Sequence, residues 1–155
     1  CARWHMLGAF YPFSRNHNVD NGLPQEPWEF TYGREEIRRD KKRPIGGYTL
    51  QIAKIAIKLR YSLMRYAYSQ LMMISLGKKG AYFKPGFFEF PNDDKLLNDE
   101  EIQNTHIMVG DSIYFIPYLL GDQNDYYGYF PNSNINHLIS GKSIMNYDHE
   151  KKEGK

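Results

Sequence analysis

The stretch from Tyr48 to Leu76 constrains the fold most. Ile52, Ile55, Ala56, Leu59, Leu63, Tyr66, Ala67 and Leu71 recur at steps of three and four, with Lys54, Lys58 and Arg65 between them. That period gathers apolar side chains on one face of an α-helix and leaves charge on the other. Gly77 follows as the stop, and Lys78 and Lys79 stand where the negative end of a helix dipole favours cations. Such a stripe is ordinarily a core face and not a ligand site. No apolar run approaches the ~20 residues of a membrane helix, so no membrane span is expected.

Beyond Gly80 the pattern changes. Tyr82 to Phe90 is aromatic and strand-like, interrupted by Pro85 and Gly86, and Pro91-Asn92-Asp93-Asp94 reads as a turn. Lys95 to Asn104 is polar and acidic, a short helix or a loop. Ile107 to Val109, Ser112 to Leu120 and Tyr126 to Phe130 read as strands, separated by Gly110-Asp111 and by residues 121–125. This is the punctuation of a β-sandwich or β-barrel. Ser143 to Lys155 is expected to be a frayed polar tail, with no chemistry assigned to its His149.

Upstream, Leu7-Gly8-Ala9-Phe10-Tyr11-Pro12-Phe13 is apolar and runs into the polar cluster Ser14-Arg15-Asn16-His17-Asn18. The run reads as a buried strand after a short helical turn over Cys1 to Leu7, and the cluster as the loop it feeds. Barrel enzymes place their chemistry at such a strand-to-loop junction. His17 is the candidate, because imidazole both donates and accepts at neutral pH. The plainer alternative is a histidine that ties its own loop together. Asn18 to Tyr32 is a long loop with a turn at Asp20-Asn21-Gly22, and its Trp28, Phe30 and Tyr32 either cap a pocket or anchor the loop. The charged run Arg34 to Arg43 holds both signs, as a solvated face does.

With 155 residues the chain can bury one real core. A formal net charge of +2 gives no field that would select nucleic acid. His5, His17, His106, His137 and His149 are scattered without metal-ligand spacing, and there is no phosphate-binding glycine loop. No metal and no cofactor are therefore expected. Asp20, Glu26, Glu29 and Glu89 could each serve as a catalytic carboxylate, but none has a neighbourhood that would split acid and base roles. Turn, loop-anchoring and strand-end roles suit all four better. The lone Cys1 reads as a free or buried thiol.

Several of these stretches resemble one family. Leu7 to Asn18, followed by Leu23-Pro24-Gln25-Glu26-Pro27-Trp28, resembles the α-glucosidases of glycoside hydrolase family thirty-one, in particular the lysosomal acid and intestinal maltase–sucrase type. Leu59-Arg60-Tyr61-Ser62-Leu63-Met64 is similar to that family's Leu-Arg-Tyr-x-Leu-Leu, with Arg65 where a proline is usual, so a straighter helix is expected there. Lys84 to Pro91 resembles its Arg-Pro-x-Phe-x-Glu-Phe-Pro, and Gly128-Tyr129-Phe130-Pro131 its Gly-Tyr-Phe-Pro. The family's next Trp-Tyr-Asp is missing, and Ile135-Asn136-His137-Leu138 stands there instead.

The resemblance implies an α/β then all-β fragment: the last strand and helix of a TIM-type barrel, then an antiparallel β-sandwich domain. The implied boundaries are residues 1–79 for the barrel part, 80–142 for the β-domain and 143–155 for the tail. It further implies hydrolysis of α-linked glucans or maltose-type oligosaccharides by a retaining mechanism. The catalytic aspartates would lie in an upstream part of the same domain, with none in this segment. His17 matches the histidine that binds sugar hydroxyls. Cys1, in Cys1-Ala2-Arg3-Trp4, matches a cysteine whose disulfide partner lies upstream. A lysosomal or secreted location follows from the same likeness. The alternative is a non-catalytic chain, either a degenerate remnant or a β-domain that binds carbohydrate or a partner.

Overall fold

A computed structural model describes residues 1–30, 47–119 and 128–144. The chain divides into two compact units, Cys1–Phe83 with Pro117–Gln123, and Lys84–Ile116 with Asn124–Lys155. The charged run from Arg34 to Arg43, Tyr32 and the tail beyond Ile144 lie outside the described residues.

In the first unit α1 (Ala2–Gly8) packs against α2 (Gly47–Ser62), and α3 (Met64–Ser75) continues α2. The periodic stretch is thus helical, but it is not one helix. Leu63 interrupts it with φ −88° and ψ −3°. Replacing the usual proline by Arg65 does not keep the helix continuous. The local cause is Ser62, whose Oγ donates to the Leu59 carbonyl at 2.7 Å. That carbonyl already accepts from the Leu63 N–H at 3.0 Å, and such hydroxyl back-bonding bends helices. The stop at Gly77 holds: its φ is +66°, its N–H donates to the Ile74 carbonyl, and the Lys78 N–H reaches the Met73 carbonyl. Those two bonds make a Schellman cap.

The packed face differs in detail from the expected stripe. Ala53, Ala56 and Gln70 are buried, and Arg60, Leu63, Ala67 and Ile74 are half-buried, giving alternating steps of three and four. Ile55 and Leu71 lie outside it, at 50% and 39% exposure. Ile57, Tyr61, Met64, Tyr68, Met72 and Leu76 are also exposed, so α2 and α3 carry much uncovered apolar surface.

The buried strand expected over Leu7–Phe13 is not formed. Leu7 and Gly8 complete α1, Ala9 caps it in the right-handed helical region, and bends follow to Phe13. Leu7, Ala9 and Phe10 are buried as expected, at 3–6% exposure. A strand needs a neighbour to satisfy its backbone, and among the described residues this unit offers none. A side chain supplies the partners instead, as described below.

Apart from Phe83, which belongs to the first unit, the second unit contains β1 (Phe83–Pro85), a 3-10 turn (Gly86–Phe88), α4 (Asp94–Asn98), α5 (Glu100–Thr105), β2 (Ile107–Val109) and β3 (Ile113–Phe115). Its sheet has the order β1-β2-β3. β2 and β3 are antiparallel, pairing Ile107 with Phe115, Met108 with Tyr114 and Val109 with Ile113 around a turn in which Gly110 has φ +61°. A second hairpin joins β4 (Ile135–Asn136) to β5 (Ser143–Ile144), so the start of the expected frayed tail is strand. Expected strands shrink among the described residues: of Ser112–Leu120 the strand covers Ile113–Phe115, and of Tyr126–Phe130 the described part, residues 128–130, is irregular, while Leu120, Tyr126 and Tyr127 lie outside the described residues. The described β-structure is therefore two small sheets and not a formed sandwich, and the first unit's described residues make no barrel. The polar segment 95–104 folds as two helices because Asp93 and Asp99 each accept backbone N–H groups at a helix start, Asp93 from Lys95 and Leu96 and Asp99 from Ile102.

Leu96 anchors this unit's core at 0% exposure, with Val109 at 1% and Met108 at 3%. Gly86 lies against it so closely that an added Cβ would come 3.2 Å from Leu96 Cδ2 and 3.3 Å from the His106 carbonyl. Leu96→Ala should cost about 2–5 kcal/mol by leaving a cavity. Native-state amide exchange should show it as lost protection at Val109 and Tyr114.

Candidate functional site

The apolar segment after α1 is held by Arg60. Its Nη1 donates to the carbonyls of Gly8 (3.1 Å), Ala9 (3.3 Å) and Tyr11 (2.5 Å), and its Nη2 to that of Pro12 (2.9 Å). One guanidinium thus satisfies four backbone acceptors that a sheet would otherwise have paired. Tyr82, buried at 9% exposure, has its phenol raised by burial and by Tyr66, with Arg60 pulling the other way. Arg3 lies 4.0 Å over the Tyr118 ring.

From this clamp the chain runs into the polar cluster. Ser14 folds back over Gly8, where an added Cβ would meet Ser14 Oγ at 2.7 Å. Asn16 Nδ2 donates to the Gln25 carbonyl at 3.1 Å, closing the loop that His17 opens. Asn18 bonds the Leu23 carbonyl at 2.6 Å and receives the Val19 N–H at 2.9 Å. The expected turn at Asp20-Asn21-Gly22 is present, with Asn21 at φ +63° and a Gly22 N–H to Val19 carbonyl bond. Asn16 and Asn18 therefore shape the loop, and His17 is left exposed at its edge.

A cleft of about 590 Å³ opens beside this loop within the first unit. His17, Arg15 and Asn16 line one side, Trp4, Tyr11, Phe13 and Phe30 supply aromatic surface, and Cys1 and His5 complete the wall. The size suits a small ligand, and aromatic faces with a few polar groups suit a polyhydroxylated one. Burial holds His5 below the ordinary imidazole value. Cys1 is a free, exposed thiol whose Sγ lies 3.6 Å from His5 Nδ1. Trp28 stays outside the cleft at 52% exposure, whereas Phe30 lines it.

Among the described residues no carboxylate lines the cleft. Asp20 sits in its turn, Glu26 gives its carbonyl to the Glu29 N–H, and Glu89 pairs with Lys84 at 2.8 Å. No three His, Cys, Asp or Glu side chains among the described residues come together as a metal site. The described lining can recognise hydroxyls but contributes no pair of carboxyl groups.

Helices α1 and α2, the clamp and the cleft fall within a glycosidase domain: residues 1–70 match the model described as glycosyl hydrolases family 31 TIM-barrel domain. Over these residues the chain is similar to glycoside hydrolase family 31. It is 39% identical over 120 residues to the lysosomal acid alpha-glucosidase of Tetrahymena pyriformis, covering 77% of this chain and 11% of that protein. Against the lysosomal alpha-glucosidase of Rattus norvegicus it is 34% identical over 131 residues, 84% of this chain and 12% of the relative. An alpha-glucosidase of Aspergillus oryzae matches at 30% over 131 residues, 84% and 11%. The chain thus spans about a tenth of the length of these relatives. No solved structure matches it significantly.

Sequence reasoning did not single out Arg60 as the support of the loop. A cation on an apolar stripe reads as a surface residue unless its acceptors are known. Arg60→Ala should destabilise the first unit by about 2–4 kcal/mol, since charge-assisted hydrogen bonds are lost and carbonyls are left unpaired. Arg60→Lys should recover only part of this, because an ammonium lacks the planar fork. Urea unfolding followed by the fluorescence of Trp4 and Trp28 measures both.

Proposed function

We propose that this chain is the C-terminal part of a retaining α-glucosidase, with residues 1–79 completing the catalytic barrel, 80–142 beginning a β-domain and 143–155 forming a tail. The longer enzyme releases glucose from the non-reducing ends of α-linked glucans. The observation that carries this reading is a sugar-sized cleft that holds His17 and yet is lined by no described carboxylate. Retaining hydrolysis needs two carboxyl groups ~5–5.5 Å apart, a nucleophile and an acid/base. In this reading both are aspartates from the upstream part of the domain. The uncovered apolar surface of α2 and α3 supports it, because a larger fold would bury that surface. The names of the relatives support a lysosomal or secreted location.

His17 is assigned to hydrogen-bonding the sugar hydroxyls, an interaction that tightens as the ring distorts towards the transition state. Cys1 is assigned a disulfide partner upstream; its exposed thiol is compatible with that. His17→Ala in the longest product carrying this segment should lower kcat/KM by the equivalent of ~1–3 kcal/mol. Unchanged turnover of a maltose-type substrate would remove His17 from the site.

The lack of a described carboxylate in the cleft also favours a second reading, a non-catalytic chain that binds carbohydrate or a partner. The mass of the native protein separates the two. A species far above 18.3 kDa supports the enzyme, and one at 18.3 kDa supports the non-catalytic chain.

A further inference from the structure

His106 stands at the junction of α5 and β2 and is 2% exposed. Both of its ring nitrogens are engaged. Nε2 accepts the Tyr129 backbone N–H at 2.9 Å, and Nδ1 lies 2.9 Å from Thr105 Oγ1. A backbone amide only donates, so Nε2 must keep its lone pair and the proton of the neutral ring belongs on Nδ1. Thr105 completes the arrangement by donating its own hydroxyl to the Glu101 carbonyl at 2.6 Å.

Tyr129 extends the connection. Its carbonyl accepts from the Tyr114 hydroxyl at 3.2 Å, and its phenol donates to Asp93 Oδ2 at 2.8 Å. The other Asp93 oxygen caps α4 through Lys95 and Leu96. The strap Gly128–Pro131 is thereby tied to β3, to the start of α4 and, through one imidazole, to the α5–β2 junction. We propose that His106 is an acid-released latch: neutral, it pins this strap through the Tyr129 N–H; protonated, it turns a donor towards a donor and the strap lets go.

Among the described residues these groups stand near the ring. Asp99 acts on it from the start of α5 and the Tyr114 ring stands beside it from β3, whereas the strap presents the Tyr129 N–H, its phenol turned to Asp93 and its ring 5.2 Å from the Lys95 ammonium. Burial holds the imidazole below its ordinary value, against the Ile102 carbonyl and Asp99, which favour the cation. The sign follows. Above the free-imidazole value of about 6.5 both closed and open forms are neutral and the latch is at full strength. Below it the open form takes a proton that the closed form refuses, so opening grows about tenfold per pH unit until the closed ring itself titrates.

The test is amide exchange by NMR on the 155-residue chain between about pH 7.5 and 4.5, read as protection factors. Tyr129 protection should fall about tenfold per unit below ~6.5 while Val109 stays protected. His106→Gln keeps an acceptor that does not titrate, and should flatten the profile. A flat profile in the wild type, the same slope in His106→Gln, or parallel loss at Val109 overturns the latch. Should His106→Gln fail to fold, the wild-type ring nitrogens decide. An unprotonated Nε2 at neutral pH with a midpoint below ~6.5 sustains the latch, and a protonated Nε2 or a midpoint at or above ~6.5 overturns it. None of these outcomes depends on the glucosidase reading.

Discussion

The first unit depends on one guanidinium. Arg60 turns an apolar segment with no sheet to join into an ordered one, by donating to four carbonyls within five residues. Without those bonds, burying Leu7, Ala9 and Phe10 would leave the part-buried carbonyls of Gly8, Ala9 and Tyr11 short of a partner. The rest follows in sequence: Ser14 closes over Gly8, Asn16 pins the loop to Gln25, and His17 comes to the edge of the aromatic cleft. Packing and recognition are therefore the same problem in this part of the molecule.

The second unit solves a different problem. Its described strands are three residues long or less and could not stand alone. Stability comes from the Leu96, Met108 and Val109 core and from polar links that reach across elements. Asp93 illustrates the economy, since one carboxylate starts α4 with one oxygen and accepts the Tyr129 phenol with the other. Burial, then that carboxylate, pushes the phenol up to about 12, so it remains a donor at any physiological pH.

Much of this was legible in the residues, and the failures have physical causes. The helical period between residues 48 and 76 and the Gly77 stop were readable because each needs only local backbone geometry. The break at Leu63 was not, because it depends on a Ser62 hydroxyl choosing a backbone carbonyl over water. Leu7–Phe13 read as strand because apolarity reports burial and not conformation; the burial was right and the conformation was set by Arg60, fifty residues away. Among the histidines, the junction of an apolar run with a polar cluster singled out His17, which stands in the wall of the cleft. That junction gave no hint of His106, whose importance arises only when Tyr129 is brought to it from 23 residues on. The family likeness was carried by short motifs, and residues 1–70 match the family's barrel domain.

The Arg60 clamp also has a temporal side. Its four bonds join residues separated by 48 to 52 positions in the chain. The loop-closure entropy must be met before any of them forms, which makes this contact a late and slow one. During synthesis the segment from Gly8 to Pro12 emerges well before Arg60. For that interval its apolar side chains and open carbonyls are exposed together, and that combination recruits chaperones or stray β-strands.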